Sequence, residues 1–233
     1  MVPRVIRPYI VVTFFWGNVM EKKRFIFDLD GTLLKSDYSY EHDYFESVLG
    51  KQDAQLFVPN ISQMVSEYEK KFPRYDFDTF SRFLTKESGV VITNEMVKGW
   101  CEALVEADIC VIDDVYEILD YLKRQGKSMV VLTNWFTDVQ RERLERCLLS
   151  GYFDQVYWGI STYMKPFRES YYNACGDYSK DECVMIGDDL ENDVLGPMKF
   201  GIDVIYYNPK GKTNFDRGKV KSIGRIKEIK EMY

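Results

Sequence analysis

Two aspartates, Asp28 and Asp30, close an apolar run in the stretch "FIFDLDGTLLKSD", two positions apart where the backbone turns. Carboxylates that close raise one another's proton affinity and call for a compensating cation. Three more groups of polar residues follow runs that read as strands. Thr133 and Asn134 follow "MVVL", Lys165 lies in "YMKP", and Asp188, Asp189 and Asp193 lie in "MIGDDLENDVLG". Carboxylates gathered at one edge make an all-oxygen site for a hard cation such as Mg2+, which binds protein carboxylates and substrate phosphate while keeping waters of its own. Lys165 adds a fixed positive charge and Thr133 a hydroxyl donor, both suited to phosphoryl oxygens. The backbone N–H groups of the Gly31-Thr32 turn could cradle the same group.

Positioning these residues requires strands that end together. Short β-branched runs at Arg24–Phe27, Met129–Leu132, Val156–Trp158, Cys183–Ile186 and Val204–Tyr207 lack alternation, as strands buried on both faces do. Helical spacing lies between them. Val115, Ile118, Leu119 and Leu122 form one stripe, which Gly126 closes. Phe167, Ser170, Tyr171 and Ala174 form another, and Thr137 with Gln140 is expected to make a capping box for a helix holding Leu144, Cys147 and Leu148. Strand and helix in alternation predict an α/β core, a Rossmann-like doubly wound parallel sheet. In such sheets ligands bind at the carboxyl ends of the strands, near the switch in strand order, where the four groups would converge.

From about Asp37 to Cys110 the rhythm changes to helices without a strand. Ile61, Met64, Val65, Tyr68 and Phe72 make one face, and Met96, Trp100, Cys101 and Leu104 another behind a Thr93 or Asn94 cap. Weaker helices are expected over Tyr40–Leu49 and Phe77–Glu87. Some seventy residues exceed any bare loop, so 37–110 is predicted to be an inserted helical cap on a core of 20–36 and 111–233. Residues 1–19 are set apart: "YIVVTFFW" is far too short to span a bilayer, and Met20 before "EKKRFIFD" would be a natural start.

A net charge of −6 gives no reason to expect nucleic acid or an anionic membrane as partner, so positive charge for an anionic substrate must be local. Five scattered cysteines (Cys101, Cys110, Cys147, Cys175 and Cys183) form no CxxC pair, which points to a reducing, cytoplasmic setting. The single His42 has no cysteine or second histidine nearby and is read as structural.

On these motifs the chain resembles the haloacid dehalogenase superfamily, in its phosphatase branch with a helical cap. "DLDGT", "VVLTN", "MKP" and "GDDLENDVLG" match the four motifs in order. "TNWFTDVQRERL" looks most like pyrimidine nucleotidase-type members, with phosphoglycolate phosphatase-type members also near; Trp135 stands where the former commonly have Gly. The resemblance implies Asp28 as nucleophile through an aspartyl-phosphate and Asp30 as acid and base. It also implies Mg2+ held by the carboxylates of Asp28 and Asp188 and the backbone carbonyl of Asp30, with Asp193 acting behind them. Gly31, Thr32 and Asn134 would bind the substrate, a small phosphorylated metabolite, in a monomer or homodimer.

Asp30 argues against the dehalogenase branch, which has no acid/base carboxylate at that place. Transport ATPases of the superfamily carry Thr there and span membranes. A mutase would share every motif, a phosphonate hydrolase would need a cap amine such as Lys51 or Lys70, and an idle regulator would be expected to have lost catalytic positions. Tyr38, Tyr40, Trp135 and Phe136 are candidates to face the substrate, the last two by stacking on a base or by packing beneath the cap.

Overall fold

The computed structural model of the protein describes residues 21–107, 109–158, 163–211 and 218–233. The expectation for residues 1–19 lies outside them. Six parallel strands form the central sheet: β1 (Arg24–Phe27), β4 (Ser128–Leu132), β5 (Gln155–Tyr157), β6 (Cys183–Gly187), β7 (Asp203–Tyr207) and β8 (Val220–Ile223). Their order is β5-β4-β1-β6-β7-β8, so the chain winds outward from β1 in both directions and the switch falls between β1 and β6.

Alternation along β1 explains why its run reads as continuously apolar. Phe25 and Phe27 join one buried cluster with Ile118, Leu119 and Leu122 of α6 (Val115–Arg124). Ile26 enters a second cluster on the other face, with Tyr171 and Ala174 of α8 (Arg168–Cys175). Gly126, at φ 67°, closes α6 by donating its N–H to the Lys123 carbonyl. Phe27 pairs with Val131 on one side and Ile186 on the other, which brings the ends of three strands level.

The helical segment contains α1 (Tyr40–Leu49), α2 (Lys51–Phe57), α3 (Ile61–Lys71), α4 (Phe77–Ser88) and α5 (Asn94–Glu106). Thr93 is the cap of α5, its side chain accepting from the Met96 N–H at 3.2 Å. Of the predicted faces, Ile61, Met64 and Tyr68 on α3 and Trp100, Cys101 and Leu104 on α5 are buried, while Val65, Phe72 and Met96 are half-buried against them. A ribbon of two antiparallel strands, β2 (Leu34–Ser36) and β3 (Ile109–Val111), joins the places where the chain leaves and re-enters the core. These three-residue strands, with α2 and β8, were absent from the expected elements; so short a run has too few residues to show a period.

The capping box expected for α7 (Thr137–Arg146) is corrected. Phe136 is its N-cap residue and no side chain caps it, while Gln140 turns inward to the site. The helix also ends sooner than expected, before Cys147 and Leu148. The last α-helix of the described residues, α9 (Gly196–Phe200), follows a π-helical turn at Leu190–Leu195, and a 3-10 helix at Ile226–Glu231 comes after β8. Among the described residues no helix is long and apolar enough to cross a membrane.

Candidate active site

Asp28 directly follows β1 and donates its backbone N–H to the Ile186 carbonyl at 2.8 Å, which anchors it at the switch point. Lys165 Nζ lies 2.6 Å from Asp28 Oδ1 and 2.7 Å from Asp193 Oδ1, and all three side chains are buried. Asp193 also accepts the Asp189 N–H at 3.0 Å, and Asp188 receives the Thr32 hydroxyl at 3.3 Å. One oxygen from each of Asp28, Asp188 and Asp193 falls within 4.8 Å of the others. Gly31, at φ 85°, is needed here for two reasons. Its backbone is left-handed, and a Cβ would strike the Asp188 carboxylate.

Burial pushes Asp28 up to about 7; Lys165 pulls it back, and Asp193 pushes it up further. Burial likewise lifts Asp188 to about 7, with the Asp28 charge adding to it, and Asp193 to about 6 against the pull of Lys165. Burial opposes the charge on Lys165, but Asp193 and Asp28 outweigh it and hold the ammonium protonated. Three acids, Asp28 and Asp193 buried and Asp188 nearer the surface, face one ammonium and leave excess negative charge, and every donor in the set is a hard oxygen, so the residues fit a divalent cation of the Mg2+ type.

Asp30 occupies a different corner. Arg143 Nη2 meets its Oδ1 at 2.5 Å, Arg143 Nη1 meets its Oδ2 at 3.0 Å, and Gln140 Nε2 donates to Oδ2 at 2.9 Å. Burial would raise its proton affinity, but the Arg143 charge and these hydrogen bonds prevail and hold the carboxyl below its usual range. Its side chain is therefore outside the acid cluster. Arg143, wholly buried, and Gln140 were not picked out from the sequence. Their spacing of three residues along α7, the helix that follows Thr133 and Asn134, is the signal that could have found them.

Thr133 is buried beside the cavity and accepts from Gln140 at 3.0 Å. Asn134 clasps the backbone of Lys165, accepting the Lys165 N–H at 2.9 Å and donating to the Lys165 carbonyl at 3.0 Å. Gly31 and Thr32 form the turn beneath Asp188, whereas Asn134 lines the cavity. Asp189 is exposed and caps the following turn through the Asn192 N–H at 2.7 Å. Arg168 lies over the Phe200 ring, and His42 is exposed beside Asp43 and Glu46. Lys51 and Lys70 are exposed and do not line the cavity.

That cavity, of about 380 Å³, lies between the strand ends and the helical segment. Tyr38, Tyr40, Glu41, Glu69, Trp100 and Trp135 belong to its wall. Trp135 takes φ 84°, a backbone region that glycine enters freely and a bulky residue only under strain. Its ring sits 4.7 Å from Trp100, and Phe136 stacks on Phe77 at 4.2 Å, so both aromatics pack into the core of the helical segment.

A family of haloacid dehalogenase-like hydrolases matches residues 22–201, and the chain belongs to it. It is a hydrolase. The mouse (Mus musculus) N-acylneuraminate-9-phosphatase is 25% identical over 213 residues, 80% of this chain and 82% of that one. The pyrimidine 5'-nucleotidase PynA of Streptococcus pneumoniae is 26% identical over 206 residues, covering 80% of this chain and 84% of its own length. Among solved structures, the HAD-hydrolase YfnB of Bacillus subtilis, bound to magnesium, superposes with a TM-score of 0.70 at 21% identity, covering 91% of this chain and 98% of that one.

Proposed function

We propose that the protein is a Mg2+-dependent, cytoplasmic phosphatase that removes the phosphoryl group from a small phosphorylated metabolite. The observation that carries this reading is the position of Lys165, whose ammonium touches both Asp28 and Asp193 beside Asp188 at the switch point. The relatives named as phosphatases support it. Asp28, Asp188 and Asp193 would hold Mg2+ together with the Asp30 carbonyl, and the cation would offset negative charge where a carboxylate meets a phosphate.

An Asp28 oxygen attacks phosphorus, the ester P–O bond breaks, and the phosphoryl group is carried as an aspartyl-phosphate. Lys165 and the Thr133 hydroxyl stabilise the charge that develops on the phosphoryl oxygens. Asp30 protonates the departing alkoxide and then takes a proton from the water that attacks the aspartyl-phosphate. Arg143 holds Asp30 in its ionised form at rest, and a phosphoryl dianion beside it raises its proton affinity toward the acid form. Asn134 keeps the Lys165 segment in place throughout.

Phosphate release from p-nitrophenyl phosphate tests the reading. Turnover is expected with Mg2+, loss of it with EDTA, and recovery when Mg2+ is added back. Turnover indifferent to chelation would reject the metal and return the dehalogenase branch to consideration.

A further inference from the structure

The wall of the cavity opposite the phosphoryl site is acidic, and the phosphatase mechanism does not use it. Glu69 of α3 is 8% exposed and accepts the Tyr75 hydroxyl at 2.8 Å. Glu41 of α1 accepts the Trp100 indole N–H at 3.2 Å. Both line the same cavity as Asp28 and Lys165. Ser66 and Ser62, one and two turns before Glu69 on α3, add hydroxyls to that wall. The buried Tyr40 hydroxyl beside Glu41 finds no hydrogen-bond partner among the described residues.

A carboxylate accepts about four hydrogen bonds, so both glutamates retain acceptor capacity beyond what Tyr75 and Trp100 supply. Burial pushes each of them up to about 7, the mark of a charge whose surroundings do not fully compensate it. Arg143, the buried guanidinium near the site, spends its terminal nitrogens on Asp30 and Gln140. A substrate donor is what the wall is built to receive. A second anion brought under it would meet two carboxylates in a cavity of low dielectric.

We infer that Glu41 and Glu69 select phosphate monoesters whose alcohol part carries hydroxyl or ammonium donors and no second anionic group. This rests on the phosphatase reading for the place of the phosphoryl group, and it adds what the remainder of the substrate must be. Glu69 bears on the donors nearest the phosphoryl end, because it adjoins Asn134 and senses the Lys165 charge.

Glucosamine 6-phosphate, glucose 6-phosphate and 6-phosphogluconate share a six-carbon chain and differ in bearing an ammonium, no further charge, or a carboxylate. Their dissociation constants for Asp28→Asn protein with Mg2+, measured by calorimetry at pH 7.5, where the amine still carries its proton in good part and the glutamates are largely ionised, should rise in that order. The gap between the first and last should be at least about tenfold. Adding Glu69→Gln or Glu41→Gln should narrow that gap by about threefold or more, and either variant suffices if the other does not fold. Equal affinities, a preference for the gluconate, a gap untouched by both substitutions, or no detectable binding of any of the three would overturn the inference. Turnover of p-nitrophenyl phosphate by the unsubstituted protein decides the phosphatase reading separately. Its loss would sink that reading, whereas a flat ranking alongside normal turnover would sink only the role of Glu41 and Glu69.

Discussion

Asp28 and Asp30 leave the same strand two residues apart and enter surroundings of opposite character. Asp28 shares one ammonium with Asp193 and stands beside Asp188, so burial and like charge lift the proton affinity of the whole group. Asp30 meets the Arg143 guanidinium with both of its oxygens, and its proton affinity falls. The difference teaches that sequence proximity decides little about the charge state of a carboxyl. What decides it is how many cations face it and how many acids share them. The Asp28 corner is short of positive charge and suited to receive a cation; the Asp30 corner is already neutralised and suited to handle a proton.

The most severe way to break this contrast is Asp28→Asn. Losing the proposed nucleophile should lower kcat on p-nitrophenyl phosphate by at least about 10³-fold. The circular dichroism spectrum should stay unchanged, because Asn fits the same space and can still meet Lys165. Retained turnover would remove Asp28 from the nucleophile's place.

A smaller effect, about 10- to 100-fold on kcat, is expected from Arg143→Met, which keeps the bulk of the side chain and deletes the charge. The informative readout is the pH profile. Without the guanidinium, the limb of kcat/KM belonging to Asp30 should move to higher pH, and Arg143→Lys should restore it in part. A drop in rate with an unmoved profile would reduce Arg143 to packing. Some stability should be lost as well, about 2 kcal/mol, less than for a fully buried pair because Asp30 is partly exposed.

The mildest contrast lies in stability without metal. Asp28, Asp188 and Asp193 have folded proton affinities above the ordinary carboxylate value of 3.8, reaching about 7, 7 and 6. The folded chain therefore binds more protons than the unfolded one between about pH 4 and 7, and stability falls as pH rises through that window. Asp30 has the opposite sign: its contribution is present above 3.8 and lost as pH falls through its depressed value. EDTA-treated protein should melt about 3 °C higher at pH 6 than at pH 8. Glu41 and Glu69 act in the same direction, so the diagnostic is Asp188→Asn, which should shrink the difference. Mg2+ should shrink it too, by stabilising the ionised form. An equal or higher melting temperature at pH 8 in EDTA would contradict the excess of negative charge.

Much of the sheet was legible because its strands are buried on both faces and so read as unbroken apolar runs; β1, β4 and β6 stand almost where those runs lie. The stripes of α3, α5 and α6 were equally plain, since each buries one face at helical spacing. Within the site, Asp28, Lys165, Asp188 and Asp193 could be found because each follows a strand. Gln140 and Arg143 could not be found that way. They lie inside a helix with the composition of a solvated one, and the Thr137-Gln140 spacing imitated a cap.

The order of strands and loops, the residue types at the strand ends and the apolar periods are local properties, and the chain by itself determined them: a parallel α/β core with a helical insertion and acids gathered at one edge. Tertiary structure alone decided which acid meets which cation, that Arg143 is spent on Asp30, that Asn134 clasps the Lys165 peptide, and that Glu41 and Glu69 face the cavity. Electrostatic partnership depends on distances of a few ångströms between residues more than a hundred positions apart, such as Asp30 and Arg143, and no local pattern encodes those distances.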